Sequence, residues 1–175
     1  GTRAAVMGGI TGIFEMPNTN PLTTTAESLE DKLMRAKGRA WCDYAFYVGA
    51  TPDNAENLGN LENLPGCCGV KIFMGSSTGS LLVPDDQSLR HVLENCHRRV
   101  AVHSEDEERL NKRSYIATES GHPRAHTEWR DVESAFYATR RLVSIAEELR
   151  CRIHVLHVTT AEELAFLANH KDIAS

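Results

Sequence analysis

Residues 69–79 read Gly-Val-Lys-Ile-Phe-Met-Gly-Ser-Ser-Thr-Gly, an apolar, β-branched run that carries one lysine and ends in small residues. A run of this kind predicts a buried strand followed by a loop. Lysine is rarely buried without a partner, so Lys71 needs a chemical explanation. One explanation is that the amine is neutralised and becomes an acceptor for a cation. The other is that Lys71 lies at the strand end and extends its amine to solvent.

Two further apolar runs each carry histidine near the carboxyl end of a predicted strand. Residues 100–106 read Val-Ala-Val-His-Ser-Glu-Asp and contain His103, whereas residues 153–160 read Ile-His-Val-Leu-His-Val-Thr-Thr and contain His154 and His157. Because side chains alternate along a strand, only one of His154 and His157 is expected to face the interior of the fold. Neutral imidazole is a good zinc ligand, so a lysine and two histidines at successive strand ends predict a metal site. For each histidine, the alternative is a hydrogen-bonded core residue.

Composition limits the classes of function. The chain has 175 residues, of which 41% are apolar and 25% charged, and its formal net charge is −5. These values are typical of one soluble globular domain and argue against nucleic-acid or membrane partners. The sequence contains no secretory signal and no apolar run long enough to span a membrane. Five cysteines without paired spacing indicate free thiols and a reducing compartment, so we expect a cytoplasmic protein.

Strand-like and helix-like segments alternate along the chain without a hairpin signal. Strands are predicted at about 11–16, 45–50, 69–74, 100–103 and 153–158, and helices at about 26–40, 52–61, 86–97, 105–119, 129–150 and 161–169. This order predicts a parallel sheet, either in a doubly wound open sheet or in a (β/α)8 barrel. Asn18, Lys71, His103 and His157 all lie at or just beyond the ends of strands, where barrel enzymes carry their chemistry. We therefore predict an α/β fold that is a partial (β/α)8 TIM barrel.

The predicted barrel is incomplete. A complete barrel needs eight strands and about 250 residues, whereas five strands are predicted here. The chain opens on a helix-like segment at residues 3–7 and ends at Ile173-Ala174-Ser175, where another strand should begin. We expect residues 1–175 to be a single domain and the central segment of a larger barrel, covering approximately strands two to six.

Four motifs, in this order and spacing, resemble those of the dihydroorotases, which are cyclic amidohydrolases of the amidohydrolase superfamily. They are EMPNTNP at residues 15–21, GVKIFMG at 69–75, VHSED at 102–106 and HVLHVTT at 154–160. The resemblance covers essentially the whole chain. It implies that Lys71 is carboxylated and bridges two divalent metal ions, usually Zn²⁺, and that His103 and His157 bind the second metal. It also implies that Asn18 binds the substrate carboxylate. The alternative is that an asparagine between two prolines is simply a turn residue.

The resemblance implies a zinc-dependent dihydroorotase that interconverts dihydroorotate and N-carbamoyl-aspartate in pyrimidine biosynthesis by a metal-activated hydroxide. The His-x-His of strand one and the general-base aspartate of strand eight lie outside this chain. We therefore expect no catalytic residue within the chain, no efficient hydrolysis by the fragment itself, and a homo-oligomeric parent protein.

Three alternatives remain open. Hydantoinases carry a tyrosine five residues after the lysine, where this chain has Ser76, so a hydantoinase is less favoured. Allantoinase is a second alternative. The third is a non-catalytic homologue that has lost ligands outside this segment and acts as a structural partner in a larger complex.

Overall fold

Five strands form one parallel sheet whose order follows the chain, β1-β2-β3-β4-β5. The structure, a computed structural model, describes residues 1–75 and 81–175. The strands are β1 (Gly12–Glu15), β2 (Asp43–Gly49), β3 (Cys67–Phe73), β4 (Val100–His103) and β5 (Ile153–Val155). A doubly wound sheet would reverse its order at a switch point, and this sheet does not. The predicted partial (β/α)8 barrel is therefore confirmed.

Helices connect the strands and cover one face of the sheet. They are α1 (Thr2–Met7), α2 (Ala26–Ala36), α3 (Leu58–Leu61, after a 3-10 turn at Ala55–Asn57), α4 (Asp86–Glu94), α5 (Glu107–Ser120), α6 (Ala125–Trp129), α7 (Val132–Leu149) and α8 (Ala161–Leu167). The hydrophobic core lies between these helices and alternate strand residues such as Val70, Ile72 and Val102. No helix within the described ranges has the length and apolarity needed to cross a bilayer.

The strand register sets the positions of the residues on the opposite face. Lys71 pairs with Ala101 across β3 and β4, and Ala101 pairs with His154 across β4 and β5. Two residues further along each strand, Phe73 lies beside His103. Since side chains alternate along each strand, the face that turns away from the helices carries Lys71, Phe73 and His103. In a barrel, this face is the interior.

Capping side chains fix where the helices near the strand ends begin. Asp106, Asp131 and Thr160 cap α5, α7 and α8, and each accepts a hydrogen bond from the backbone N–H three residues later. Such a cap typically contributes about 1 kcal/mol. The cap at Asp131 also corrects the helix predicted over residues 129–150. That segment divides at Arg130, so α7 starts at Val132 and a separate short helix, α6, precedes it.

The carboxyl end of the chain lies beside β5. The Ile153 N–H donates to the Ile173 carbonyl at 2.9 Å, the Val155 N–H donates to the Ser175 carbonyl at 3.0 Å, and Ala174 forms a parallel bridge with Ile153. The pairing is parallel and adjacent to the last strand. It lies at the position where the sequence predicts a further strand, and that strand stays a prediction.

Candidate active site at the carboxyl ends of the strands

Lys71 is the buried cation that the sequence singles out. It is 2% exposed, and its Nζ donates to the Ile72 carbonyl at 2.5 Å and lies 3.7 Å from the centre of the Phe73 ring. No carboxylate in the described residues forms an ion pair with it. Burial lowers the pKa of the amine from 10.5 to about 7. Lys71 therefore does not extend to solvent, and a large fraction of its amine is neutral at physiological pH.

His103 and His157 meet at the ends of β4 and β5. His103 Nδ1 lies 2.9 Å from His157 Nε2, and the ring centres are 4.8 Å apart. Partial desolvation, followed by repulsion from His103, lowers the pKa of His157, and Lys71 acts in the same direction. Two nitrogens at this distance share one proton, so the pair forms a site in which a cation can replace that proton.

The backbone brings His157 to this position by leaving the strand. The sequence predicts a strand over residues 153–158, but β5 ends at Val155 and His157 adopts a left-handed conformation with φ 41°. The alternation argument for His154 and His157 therefore does not apply beyond Val155. His154 lies beside Ala101 in the sheet, and its Nδ1 is 3.0 Å from the Ser175 hydroxyl oxygen.

Glu105 and Arg130 extend the histidine pair into a polar cluster. His103 Nε2 lies 2.7 Å from Glu105 Oε2, Arg130 Nε donates to Glu105 Oε1 at 2.9 Å, and Arg130 Nη2 donates to Glu105 Oε2. Burial alone would raise the pKa of the Glu105 carboxyl group. The hydrogen bonds from His103 and Arg130 outweigh burial and lower this pKa to about 2. Glu105 is therefore an ionised acceptor behind His103.

A cavity of about 410 Å³ opens in front of this cluster. His103 and His157 line it from the sheet, and His126 and Thr127 line it from α6. Because His126 and Thr127 lie between the helices predicted over 105–119 and 129–150, the sequence indicates only a loop there. A pocket that contains both ring nitrogens and is covered on one side by α6 has the form of a small-molecule site.

Two close approaches hold this edge of the sheet together. A Cβ atom at Gly75 would lie 2.6 Å from the Glu105 carbonyl oxygen, so position 75 has no room for a side chain. Behind the site, the buried Thr139 hydroxyl lies 2.9 Å from the Ser104 hydroxyl and donates to Glu163 at 2.7 Å. These contacts tie the segments that carry Lys71, His103 and His157.

Asn18 is positioned differently from the other predicted site residues. It follows β1 at the same carboxyl edge of the sheet, and its side chain is exposed. It does not line the cavity that contains the two histidines. The predicted substrate contact of Asn18 stays a prediction. The small-residue loop at 76–80, including Ser76, lies outside the described residues.

The donor set fits a divalent metal in part. Two nitrogens bound to one tetrahedral zinc would lie about 3.3 Å apart, so the separation of His103 and His157 needs only a small opening of the rings. Within residues 1–75 and 81–175, no three His, Cys, Asp or Glu side chains form a complete metal site. The two histidines therefore supply two ligands, and Lys71 supplies an amine whose neutral form can be modified.

Glu105 and Arg130 are site residues that the sequence does not identify. The run of acidic residues after His103 is typical of a helix N-terminus, and Asp106 does cap α5. Glu105, however, turns to His103. Arg130 is 25 residues away from Glu105 in the chain, so no local pattern connects the two. An acidic residue two positions after a site histidine is the one available signal.

Comparisons with known proteins connect the site to a group of enzymes. The chain is 30% identical over 175 residues to an allantoinase of Bacillus licheniformis, with 93% of this chain and 38% of that protein covered. It is 29% identical over 178 residues to a dihydroorotase of Methanosarcina acetivorans, with 99% and 38% covered. The structure of the L-hydantoinase (dihydropyrimidinase) from Arthrobacter aurescens matches 99% of this chain and 40% of its own, with a TM-score of 0.88 and 26% identity.

These likenesses do not support dihydroorotase in particular. No protein-family model matches the chain. Allantoinases are the more frequent curated relatives, and hydantoinases are the structural matches, so the alternative of an allantoinase or hydantoinase is better supported than dihydroorotase. The chain spans about two fifths of the length of the curated relatives it matches. Over almost its whole length the chain is similar to a segment of allantoinases, of a dihydroorotase and of hydantoinases, which are cyclic amidohydrolases of the amidohydrolase superfamily.

Proposed function

We propose that the parent protein is a metal-dependent cyclic amide hydrolase, and that residues 1–175 form the central part of its barrel. The observation that carries the proposal is the convergence of a buried lysine of lowered pKa with a facing histidine pair at the carboxyl ends of parallel strands. Barrel enzymes place their chemistry at this end of the strands. The elements that complete the barrel in the relatives lie outside this segment, so the proposed activity belongs to the whole protein.

The metal would be held by His103 Nδ1, His157 Nε2 and a carboxylated Lys71, and zinc suits these nitrogen and oxygen ligands. When bound, a divalent metal supplies Lewis-acid activation of water and of an amide carbonyl at neutral pH. Carboxylation joins Lys71 Nζ to the carbon of CO2 and releases one proton. Only a neutral amine can make this bond, and burial supplies that form at Lys71.

The other residues of the chain bind and orient. Glu105 and Arg130 hold the His103 ring in place. His126 and Thr127 of α6 close one side of the cavity and limit the substrate to a small ring. Asn18 remains a proposed donor of hydrogen bonds to an anionic or amide group of the substrate. The general base that passes a proton to the leaving nitrogen is proposed to lie outside this chain.

For the substrate, we propose a cyclic ureide of the allantoin type first, because allantoinases are the more frequent curated relatives. Dihydroorotate is the second candidate. It is favoured by the four motifs at residues 15–21, 69–75, 102–106 and 154–160, and by the relative from Methanosarcina acetivorans. We further propose a cytoplasmic homo-oligomer, for which the free thiols of the five cysteines indicate a reducing compartment.

The test is hydrolysis of allantoin, dihydroorotate and hydantoin by the full-length protein supplied with zinc and bicarbonate. We expect turnover of one cyclic amide, with allantoin favoured, and loss of turnover in Lys71→Ala. Lys112→Ala is the matched control, because Lys112 is an exposed lysine on α5 that pairs with Glu108. If all three rings stay intact, the proposed activity is wrong and a non-catalytic structural homologue is the better account.

A further inference from the structure

We infer that Glu105, held by Arg130, is the positioning residue that fixes the tautomer of His103 and aims its Nδ1 lone pair into the cavity. This inference rests on the proposed metal centre, because the lone pair matters only where a cation binds. Glu105 touches neither substrate nor metal in this account and acts through His103. In the metal-free protein, Glu105 decides which nitrogen of the His103 ring carries the proton.

The hydrogen-bond geometry around Glu105 favours one arrangement of protons. Arg130 Nη2 also lies 3.4 Å from His103 Nε2, which is a weaker contact than the 2.7 Å between Nε2 and Glu105 Oε2. Both carboxylate oxygens accept hydrogen bonds from the Arg130 guanidinium, which has only donors. His103 Nε2 lies 2.7 Å from Oε2 of the same carboxylate. Two acceptors at this distance would repel, so the proton must lie on Nε2. A neutral His103 then has its lone pair on Nδ1.

The lone pair on Nδ1 has a defined direction. Nδ1 lies 2.9 Å from His157 Nε2. If His103 presents a lone pair, then His157 supplies the proton between the two rings in the metal-free protein. A metal at this position replaces that proton and accepts both lone pairs. The reverse tautomer of His103 would put an N–H where the metal ligand is needed.

Neighbouring contacts hold Arg130 in place, so its contact with Glu105 is rigid. Arg130 ends the short helix α6, and the neighbouring Trp129 Nε1 donates to the Leu110 carbonyl of α5 at 2.7 Å. Its side chain is 22% exposed, and that of Glu105 is 11% exposed. The cover of the cavity and the orientation of the histidine therefore depend on the same ion pair. Partly buried Arg–carboxylate pairs with two hydrogen bonds hold geometry well.

The direct test reads the ring nitrogens of His103 by ¹⁵N NMR in the full-length protein, labelled with ¹⁵N-histidine and stripped of metal with a chelator. His103 signals are assigned by their loss in His103→Gln. We expect a protonated Nε2 and an unprotonated Nδ1. A proton on Nδ1 in the wild-type protein would overturn the inference, whatever the variants do.

A variant separates the positioning role from a structural one. Glu105→Gln keeps the size of the side chain but places an amide group against Nε2. We expect His103 to populate both tautomers in this variant and zinc affinity to fall about 10- to 100-fold. Glu108→Gln is the matched control, because Glu108 is an exposed glutamate on the first turn of α5 and pairs with Lys112. Unchanged tautomer and zinc affinity in folded Glu105→Gln would refute the inference.

Failure of the inference and failure of the proposed function give different results. If wild-type protein binds no zinc, the proposed metal centre fails, while the nitrogen shifts still report the tautomer. If zinc binds tightly but Nδ1 carries the proton in the metal-free protein, the centre stands and the positioning role of Glu105 fails.

Discussion

Replacing Lys71 with methionine should stabilise the metal-free protein, because the native lysine is buried at a cost. Burial lowers the pKa of the amine from 10.5 to about 7. At 1.36 kcal/mol per pKa unit, the difference corresponds to about 5 kcal/mol against the protonated folded state, of which about 4 kcal/mol applies at pH 7. Methionine has a similar length and needs no desolvation of a charge, so Lys71→Met removes this penalty.

The lowered pKa of Lys71 also makes the difference in stability between the two proteins depend on pH. Between about pH 7 and pH 10.5 the unfolded chain binds a proton at residue 71 that the folded chain does not. The free energy of unfolding of the wild-type protein therefore rises with pH in this range. The advantage of Lys71→Met should be largest at and below about pH 7 and should shrink by about 1.4 kcal/mol per pH unit above it.

Urea denaturation of both proteins at several pH values, in buffer free of metal and bicarbonate, measures this difference. Lys112→Met is the control, since an exposed lysine that pairs with Glu108 should leave the unfolding free energy nearly unchanged. Equal or lower stability of Lys71→Met at pH 7, or an advantage that does not change with pH, would refute the reasoning about burial.

Three further changes test the surroundings of the site. Gly75→Ala would place Cβ 2.6 Å from the Glu105 carbonyl oxygen, so we expect a lower melting temperature and weaker zinc binding. The control Gly8→Ala, whose new Cβ would have its nearest contact at 3.4 Å, should be neutral, and equal melting curves for the two variants would contradict the prediction. Thr139→Val removes a hydroxyl that donates to the buried Glu163 carboxylate at 2.7 Å, so the unfolding free energy should fall by about 1–3 kcal/mol. Urea denaturation measures this change, and an unchanged denaturation midpoint would disprove it. The pKa of the Glu105 carboxyl group is lowered to about 2, so its contribution to stability is complete above about pH 4.5 and is lost as the pH falls towards 2. On acid titration, Glu105→Gln should lose less unfolding free energy in this range than the wild-type protein, and identical acid curves would contradict the assignment.

The fold follows from the sequence because its signals are local. Short apolar runs predict the five strands, and the helices between them predict a parallel sheet. The order of its strands along the chain follows from the barrel prediction, which depends on the polar residues at the strand ends. The misplaced boundary at residues 129–150 arises because apolar periodicity continues through Arg130 while the Asp131 side chain caps a new helix. A capping interaction overrides a pattern that is otherwise helical on both sides.

The site is predictable only where a residue carries its own signal. A lysine in an apolar run and histidines at strand ends can be recognised in the sequence. The structure brings Lys71, His103 and His157 to the carboxyl edge of the sheet. The link from Glu105 to Arg130 spans 25 residues and depends on where α6 packs. The turn that ends β5 at Val155 depends on a left-handed residue that is not glycine. Neither can be read from spacing.

The motifs also do not fix the substrate. In the proposed function, lysine and histidine at these positions would hold a metal that activates water and a carbonyl, and all cyclic amides share that carbonyl. The choice between allantoin, dihydroorotate and hydantoin depends on residues that contact the rest of the ring. The comparisons therefore correct the preference for dihydroorotase without changing the site.

The most direct test of the account is a crystal structure of the full-length protein with zinc and bicarbonate, with anomalous data at the zinc edge. The account predicts zinc bound to His103 Nδ1 and His157 Nε2, and a carboxylated Lys71 as a further ligand. Zinc bound elsewhere, or an unmodified Lys71 amine that still donates to the Ile72 carbonyl beside two zinc-free histidines, would contradict it.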